Sequence, residues 1–231
     1  MRSEWIKLTS LRSTPAALGA LIATTVALSV LISSGTPDAP DPMEVLLSGV
    51  YFGQLAAAWF GVTAISAEFA TGMIATTFIA TPDRTRVLLA KAATVGALTL
   101  AASLVATVAA FAAARPFVEA PISVRAIAGS AVYLALVALL SLGIGTLVRG
   151  TNAALSVATG VLYLPAIAIS LLPPELGLSV ARFCPMFAGL AIQRTVEQPD
   201  SIPIAPGAGL ALFATYTVVA LAGGAYVLNR S

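Results

Sequence analysis

Apolar residues fill six long runs of this chain, and short polar stretches separate them. The runs cover roughly residues 15–34, 43–65, 87–114, 126–148, 153–172 and 209–228. A helix needs about 20 mainly apolar residues to cross the hydrocarbon core of a bilayer, and each run reaches that length. The pattern predicts an all-α membrane protein with six transmembrane helices, and we expect a single transmembrane domain over residues 1–231.

The polar stretches carry residues that start or stop helices. Thr81, Pro82 and Asp83 form a typical helix start, with a cap, a proline in the first turn and an acid that complements the helix dipole. Residues 149–152 are the only break between the fourth and fifth runs. This short break predicts a tight hairpin.

Composition supports lipid as the main solvent of the chain. Charged residues make up 10% of the sequence, against about 25% in a typical soluble domain. The net charge is only +2 and the basic residues are scattered, so we do not expect nucleic-acid binding. The chain has no histidine and one cysteine, which excludes Cys/His zinc sites, histidine-ligated haem and His-based catalytic triads. We expect no cofactor.

Basic residues set the expected orientation, because cytoplasmic loops of membrane proteins are enriched in Lys and Arg. We expect the chain to lie in the plasma (inner) membrane with both termini in the cytoplasm. In this orientation eight basic residues lie on the cytoplasmic side and four on the outer side. The inner group is Arg2, Lys7, Arg12, Arg84, Arg86, Lys91, Arg149 and Arg230, and the outer group is Arg115, Arg125, Arg182 and Arg194.

Residues 1–14 predict a short helix at the membrane interface, with Trp5, Lys7 and Arg12 as its anchoring residues. A basic juxtamembrane anchor without further role is the alternative. The segment 173–208 is the longest stretch between runs, and its apolar middle, 178–192, is too short to span comfortably. A re-entrant helix and a surface helix that caps the bundle both fit it.

Polar residues inside the runs are few and uncharged. Gln54, Tyr133 and Tyr163 are candidates for a translocation path, while a bond between helices is the simpler interpretation of Gln54. No acid lies at mid-membrane depth, as an ion-coupled carrier usually requires. Gly49 and Gly53 match the G-x-x-x-G packing pattern, which joins helices within one subunit or between two.

Three segments together resemble an ABC-2 type permease, the membrane subunit of an ABC exporter. Residues 3–14, SEWIKLTSLRST, are similar to the opening of small permeases of this family. Residues 65–77, ISAEFATGMIATT, resemble its stretch with an acid, an aromatic residue, a glycine and paired threonines. Residues 80–91, ATPDRTRVLLAK, resemble its entry to the third span.

The resemblance implies an ABC-2 permease-like bundle of two permease subunits, as a homodimer or with a second permease, and two separate ABC ATPase subunits. It also implies that residues 66–86 form a cytoplasmic coupling loop that docks on the ATPase. The residues expected at or beside that contact are Glu68, Gly72, Pro82, Asp83, Arg84 and Arg86. A structural interpretation of Glu68 pairs it with Arg84 or Lys91.

The resulting expectation is an exporter subunit that is not itself an enzyme and that moves an unknown substrate, amphipathic or apolar, outward. Two other classes stay open. One is a membrane anchor or sensor subunit that transports nothing, and the other is an ion-coupled carrier.

Overall fold

The computed structural model describes residues 13–73, 83–196 and 202–230. Regular structure in these ranges is helical throughout. The helices are α1 Ser13–Gly35, α2 Pro42–Leu46, α3 Val50–Ala70, α4 Arg84–Ala114, α5 Val124–Val148, α6 Thr151–Ser170, α7 Pro174–Ala181, α8 Pro185–Leu190 and α9 Pro206–Arg230, with a 3₁₀ turn at Ala191–Gln193. Within the described ranges, six helices are long and apolar enough to cross a membrane, namely α1, α3, α4, α5, α6 and α9. The prediction of an all-α, multi-pass membrane protein is confirmed.

Helix α5 is the centre of the bundle. It packs against α3, α4, α6 and α9, and 72% of its most apolar stretch is buried. Helix α1 lies against α3 and α4. The buried share of the most apolar stretch is only 22% for α6 and 17% for α9. Their outward residues, such as Leu164, Ile167 and Val218, are apolar and exposed. The protein core therefore surrounds α5, while α6 and α9 present wide apolar faces suited to lipid.

Glycines allow several spans to touch backbone to backbone. A Cβ at Gly49 or Gly53 would overlap Thr25 of α1, and a Cβ at Gly61 of α3 would overlap the carbonyl oxygen of Ala138 in α5. Helices α5 and α9 meet in the same way at Gly143. The G-x-x-x-G pattern thus joins two helices of one chain, as the intrasubunit alternative predicts.

The predicted start of the second span at residue 43 is wrong. That run is divided into the short α2 and the spanning α3, which begins at Val50. Asp41 starts α2 by accepting a hydrogen bond from the Met43 backbone N–H, and the chain then turns before α3. At this turn the N–H of Gly49 donates to the Ser29 hydroxyl of α1 at 2.9 Å. Residues 47–49 contain no charged residue and no proline, so the hydropathy pattern did not show the turn.

The predicted coupling loop, 66–86, is shorter than expected. Helix α3 continues to Ala70 and α4 begins at Arg84, so both ends of the predicted loop are helical. Helix α3 extends past the apolar run because the polar side chain of Glu68 is buried in the bundle. By contrast, the predicted hairpin at 149–152 is confirmed, since α5 ends at Val148 and α6 begins at Thr151.

The segment before the last span has two parts that behave differently. Helix α7 packs on α6, whereas α8 and the 3₁₀ turn pack against both α5 and α9. Gly189 lies against the ring of Tyr133, which is nine residues into α5 and so about 13 Å from its start. The 3₁₀ turn is fixed by Gln193, whose side-chain amide donates to the Ser130 hydroxyl of α5 at 3.1 Å. The second half of the segment therefore packs against α5 and α9 at the level of Tyr133, and a re-entrant helix stays a prediction.

Candidate functional site

A buried ion pair joins α3 to α4 at one end of the bundle, which we call the Glu68 end. The ammonium group of Lys91 lies 2.9 Å from a carboxylate oxygen of Glu68. Lys91 is 0% and Glu68 4% exposed, so the two charges are shielded from water. Removing two charges from water is costly unless they face each other with good geometry. The structural interpretation of Glu68 is confirmed with Lys91 as its partner.

The last turns of α3 are also attached to the hairpin between α5 and α6. The hydroxyl of Thr151 donates to the Ser66 hydroxyl at 3.0 Å. The guanidinium of Arg149 lies 5.6 Å from the centre of the Phe69 ring, within the range of a cation–π interaction. Arg149 itself ends α5 with a left-handed φ of 61°. This conformation directs the chain into α6 within two residues.

The start of α4 is fixed to the end of α9. Asp83 caps α4 by accepting a hydrogen bond from the Arg86 backbone N–H at 3.0 Å. The Arg84 guanidinium donates to the Leu228 carbonyl oxygen at 2.5 Å, and the Asn229 amide donates to the Thr85 hydroxyl at 3.0 Å. Helices α3, α4 and α9 and the hairpin between α5 and α6 are therefore tied together at the Glu68 end.

The residues expected at the coupling contact meet at this end where the structure describes them. Gly72 is exposed just after α3, with a left-handed φ of 70° that suits glycine. Asp83, Arg84 and Arg86 follow at the start of α4. Pro82 and the interfacial-helix residues Trp5, Lys7 and Arg12 lie outside the described residues.

Sequence reasoning missed the links to the hairpin and to α9. Ser66 and Thr151 are 85 residues apart, and Arg84 and Leu228 are 144 apart. A serine, a threonine and a backbone carbonyl carry no signal of such partners in a single sequence. Charge alone could have identified Arg149, which stands in a polar break next to a predicted helix end.

The three candidates for a translocation path lie together in the bundle interior. The Tyr133 hydroxyl of α5 donates to the Gln54 side-chain oxygen of α3, and the Tyr163 hydroxyl of α6 donates to the Tyr51 carbonyl oxygen. Gln54 and Tyr133 are both fully buried. The Gln54 amide nitrogen donates to the Tyr51 carbonyl oxygen at 3.0 Å. The interhelical bond expected of Gln54 is confirmed, and a role of the three residues in transport stays a prediction.

The opposite end, which we call the Asp41 end, is held by a buried carboxylate that the sequence did not single out. Asp41 is 2% exposed and accepts hydrogen bonds from the Thr195 N–H at 2.6 Å, the Thr195 hydroxyl at 2.7 Å and the Val196 N–H at 3.0 Å. Burial acts to raise the pKa of Asp41, but these bonds and that from Met43 lower it below 3.8 overall. Burial and the nearby Asp41 raise the pKa of Glu44.

The loop that Asp41 holds is fixed a second time by Arg194. Its guanidinium donates to the carbonyl oxygens of Ile202 at 2.7 Å and Ile204 at 2.6 Å. The carbonyl of Arg194 in turn accepts a hydrogen bond from Arg125 of α5 at 2.6 Å. The loop that follows the 3₁₀ turn is thus attached to Asp41 at the start of α2 and to Arg125 of α5 at this end.

Chemically, the Glu68 end is built from an ion pair, a helix cap and hydrogen bonds, and the Asp41 end from a helix cap and hydrogen bonds. Within the ranges 13–73, 83–196 and 202–230, no three His, Cys, Asp or Glu side chains are grouped closely enough to hold a metal ion. A comparison with protein-family models and a search of curated proteins gave no match to this chain.

Proposed function

We propose that this chain is the permease subunit of an ABC exporter of the ABC-2 type, driven by a separate ATPase. One observation carries the proposal: the two internal segments that resemble the family meet in space. Glu68 belongs to the segment 65–77 and Lys91 ends the segment 80–91, and their side chains form the buried ion pair. Residues that are 23 positions apart therefore act as one unit at the Glu68 end.

The ion pair suits a part that transmits movement. A partner that pushes on the residues between Ala70 and Arg84 would push on a segment whose two flanking helices are joined at its base. Breaking a buried ion pair by removal of one partner costs about 3–5 kcal/mol. Both helices therefore follow the segment instead of separating from each other.

In this proposal the Glu68 end faces the cytoplasm, both termini are cytoplasmic and the membrane is the plasma (inner) membrane. The transport unit contains two permease subunits, as a homodimer or with a second permease. An apolar or amphipathic substrate would pass outward by alternating access, with Gln54, Tyr133 and Tyr163 along its path. The mostly apolar residues that pack in the bundle interior support this substrate class.

The test is recovery of the ATPase with the permease. The tagged chain is crosslinked in its native membrane, solubilised gently and purified, and the proteins recovered with it are identified by mass spectrometry. We expect an ABC ATPase with the wild type and a strong loss with Arg86→Glu, since Arg86 is exposed in the first turn of α4.

Arg115→Glu is the matched control, because Arg115 is exposed at the other end of the same helix. The helix dipole favours an acid at residue 86 and disfavours one at residue 115, so the control is the more disruptive change for α4 itself. No ATPase with the wild type would reject the proposal and would make proton-dependent transport by this chain alone the next assay. An ATPase that binds without ATP-dependent export would support an anchor or sensor subunit.

A further inference from the structure

Exposed arginines gather at the Glu68 end from three different elements. Arg86 lies in the first turn of α4, Arg149 ends α5 and Arg230 ends α9, and all three are exposed. Among the described residues at this end, Asp83 is the exposed acid, and its carboxylate accepts the capping hydrogen bond of α4. The intervening segment 74–82 contains no charged residue. We call Arg86, Arg149 and Arg230 the basic face.

Direct contacts place the three arginines on one surface. The Arg84 and Thr85 contacts hold the first turn of α4 against the last turn of α9, next to Arg230. The Glu68–Lys91 pair joins α4 to α3, and the guanidinium of Arg149 contacts the Phe69 ring of α3. The guanidinium of Arg230 lies 4.4 Å from the centre of the Tyr226 ring, four residues earlier in the same helix.

The position of Arg149 indicates what the basic face contacts. Arg149 is at the end of α5, the helix that has α3, α4, α6 and α9 around it. Lipid headgroups surround a bundle at its edge, whereas the end of a central helix opens to the aqueous phase. An exposed guanidinium held at this point is therefore placed to meet a soluble partner. Arginine forms paired hydrogen bonds with carboxylates, so the complementary surface is acidic.

We propose that the basic face binds an acidic surface of a soluble protein partner, and that the hairpin 149–152 is a second half of the docking surface. The proposal rests on the proposed function, in which that partner is the ATPase. Contact at the hairpin would act on α6 directly, because Thr151 begins α6 and its hydroxyl bonds to Ser66 of α3. The partner would then act on the start of α6, at its contact with α3.

The experiment measures binding of the purified ATPase to the permease in nanodiscs of neutral lipid, at several NaCl concentrations. We expect Arg86→Glu, Arg149→Glu and Arg230→Glu each to weaken binding about tenfold at low salt, while Arg115→Glu matches the wild type. The differences should shrink towards 1 M salt, where the screening length falls to about 3 Å. Arg149→Lys should restore most of the affinity lost in Arg149→Glu.

Two further variants protect the test against misfolding. Arg149→Gly removes the guanidinium and places glycine at a φ of 61°, which glycine adopts without strain, so the fold is kept while binding weakens. Asn152→Cys, exposed on the hairpin, is made with the buried Cys184 changed to alanine. A reagent with one thiol-reactive and one amine-reactive group should crosslink it to a lysine of the ATPase, and should not crosslink Arg115→Cys.

The outcomes separate this inference from the proposed function. If the wild type binds no ATPase, both are rejected. A second outcome is that the wild type binds the ATPase and Arg86→Glu weakens that binding, while the Arg149 and Arg230 variants bind normally and the Asn152→Cys variant forms no crosslink. Docking is then limited to the α3–α4 side, and the inference is rejected. If the arginine variants instead keep the ATPase and lose anionic lipid retained in native mass spectrometry, the basic face is a lipid site and the inference is also rejected.

Discussion

Loss of Lys91 should be among the most damaging single changes in this chain. Lys91→Met keeps the length of the side chain but leaves the Glu68 carboxylate buried beside an apolar group. Both residues are at most 4% exposed and their charged atoms are 2.9 Å apart, so water cannot replace the lost ammonium without opening the bundle. Removal of one member of such a pair costs about 3–5 kcal/mol.

The chain carries its own probe for this measurement. Its single cysteine, Cys184, is buried, so a thiol-reactive fluorogenic dye gives a signal as the protein unfolds. In a domain of 150–250 residues each kcal/mol lowers the melting temperature by about 2–4 °C, which predicts a fall of about 6–20 °C for Lys91→Met in detergent. A fall below about 3 °C would show that Glu68 reaches water, and the argument from burial would be wrong.

The double variant Glu68→Gln/Lys91→Met separates the ion pair from the packing around it. Replacing both charges removes the unpaired carboxylate, so the double variant should be clearly more stable than Lys91→Met alone. The matched control is Ala93→Met, because Ala93 is exposed on the same helix and the new side chain adds bulk there without touching the pair. Simple additivity of the two single losses would contradict direct coupling between Glu68 and Lys91.

Three other changes test the packing and the ends of the bundle by the same melting assay. Gly61→Ala should destabilise the protein by about 1–3 kcal/mol because its Cβ meets a backbone carbonyl, whereas Gly19→Ala, with open space around it, should stabilise α1 by up to about 1 kcal/mol. Asp41→Asn should lower the free energy of unfolding by about 1–3 kcal/mol at pH 7. Because folding lowers the pKa of Asp41, its carboxylate stabilises the protein fully above pH 3.8, and this stabilisation is lost as the pH falls through the pKa of the folded state. Variant and wild type should therefore have similar stability in acid. Gln54→Leu should cost about 1–3 kcal/mol by leaving the buried Tyr133 hydroxyl without its acceptor, and adding Tyr133→Phe should recover part of the loss. An equal loss of stability in the Gly19 and Gly61 variants would contradict the packing argument. An Asp41→Asn effect that is constant at all pH values would contradict the pKa argument. If Tyr133→Phe recovers no stability in the Gln54→Leu variant, the argument from the lost acceptor is wrong.

The spans were predictable because lipid imposes a length of apolar sequence that no other environment demands. Helix starts were predictable where a residue marks them, as Asp83 does for α4. The start of α3 was missed because the turn before it, residues 47–49, is buried and contains no charged residue and no proline. Hydropathy reports the solvent around a residue, and a buried turn and a buried helix share the same solvent.

The interior of the candidate site was less predictable. Glu68 was assigned to the coupling loop by resemblance, with Arg84 or Lys91 as its possible partner. Its burial beside Lys91, 23 residues away, was not predicted. Gln54 and Tyr133 are 79 residues apart, and only the packing of α3 against α5 brings them together. Contacts of this kind follow from the arrangement of helices, which a single sequence does not contain.

Backbone joints at glycine restrict how this bundle can move. Helices α1, α3, α5 and α9 are joined in this way at Gly49, Gly61 and Gly143, where a Cβ would first meet a backbone atom of the neighbouring helix. Helix α6 is attached instead through side chains such as Tyr163 and Thr151. The four joined helices should therefore behave as one rigid body, and a change of shape in the bundle would be a displacement of α6 against it.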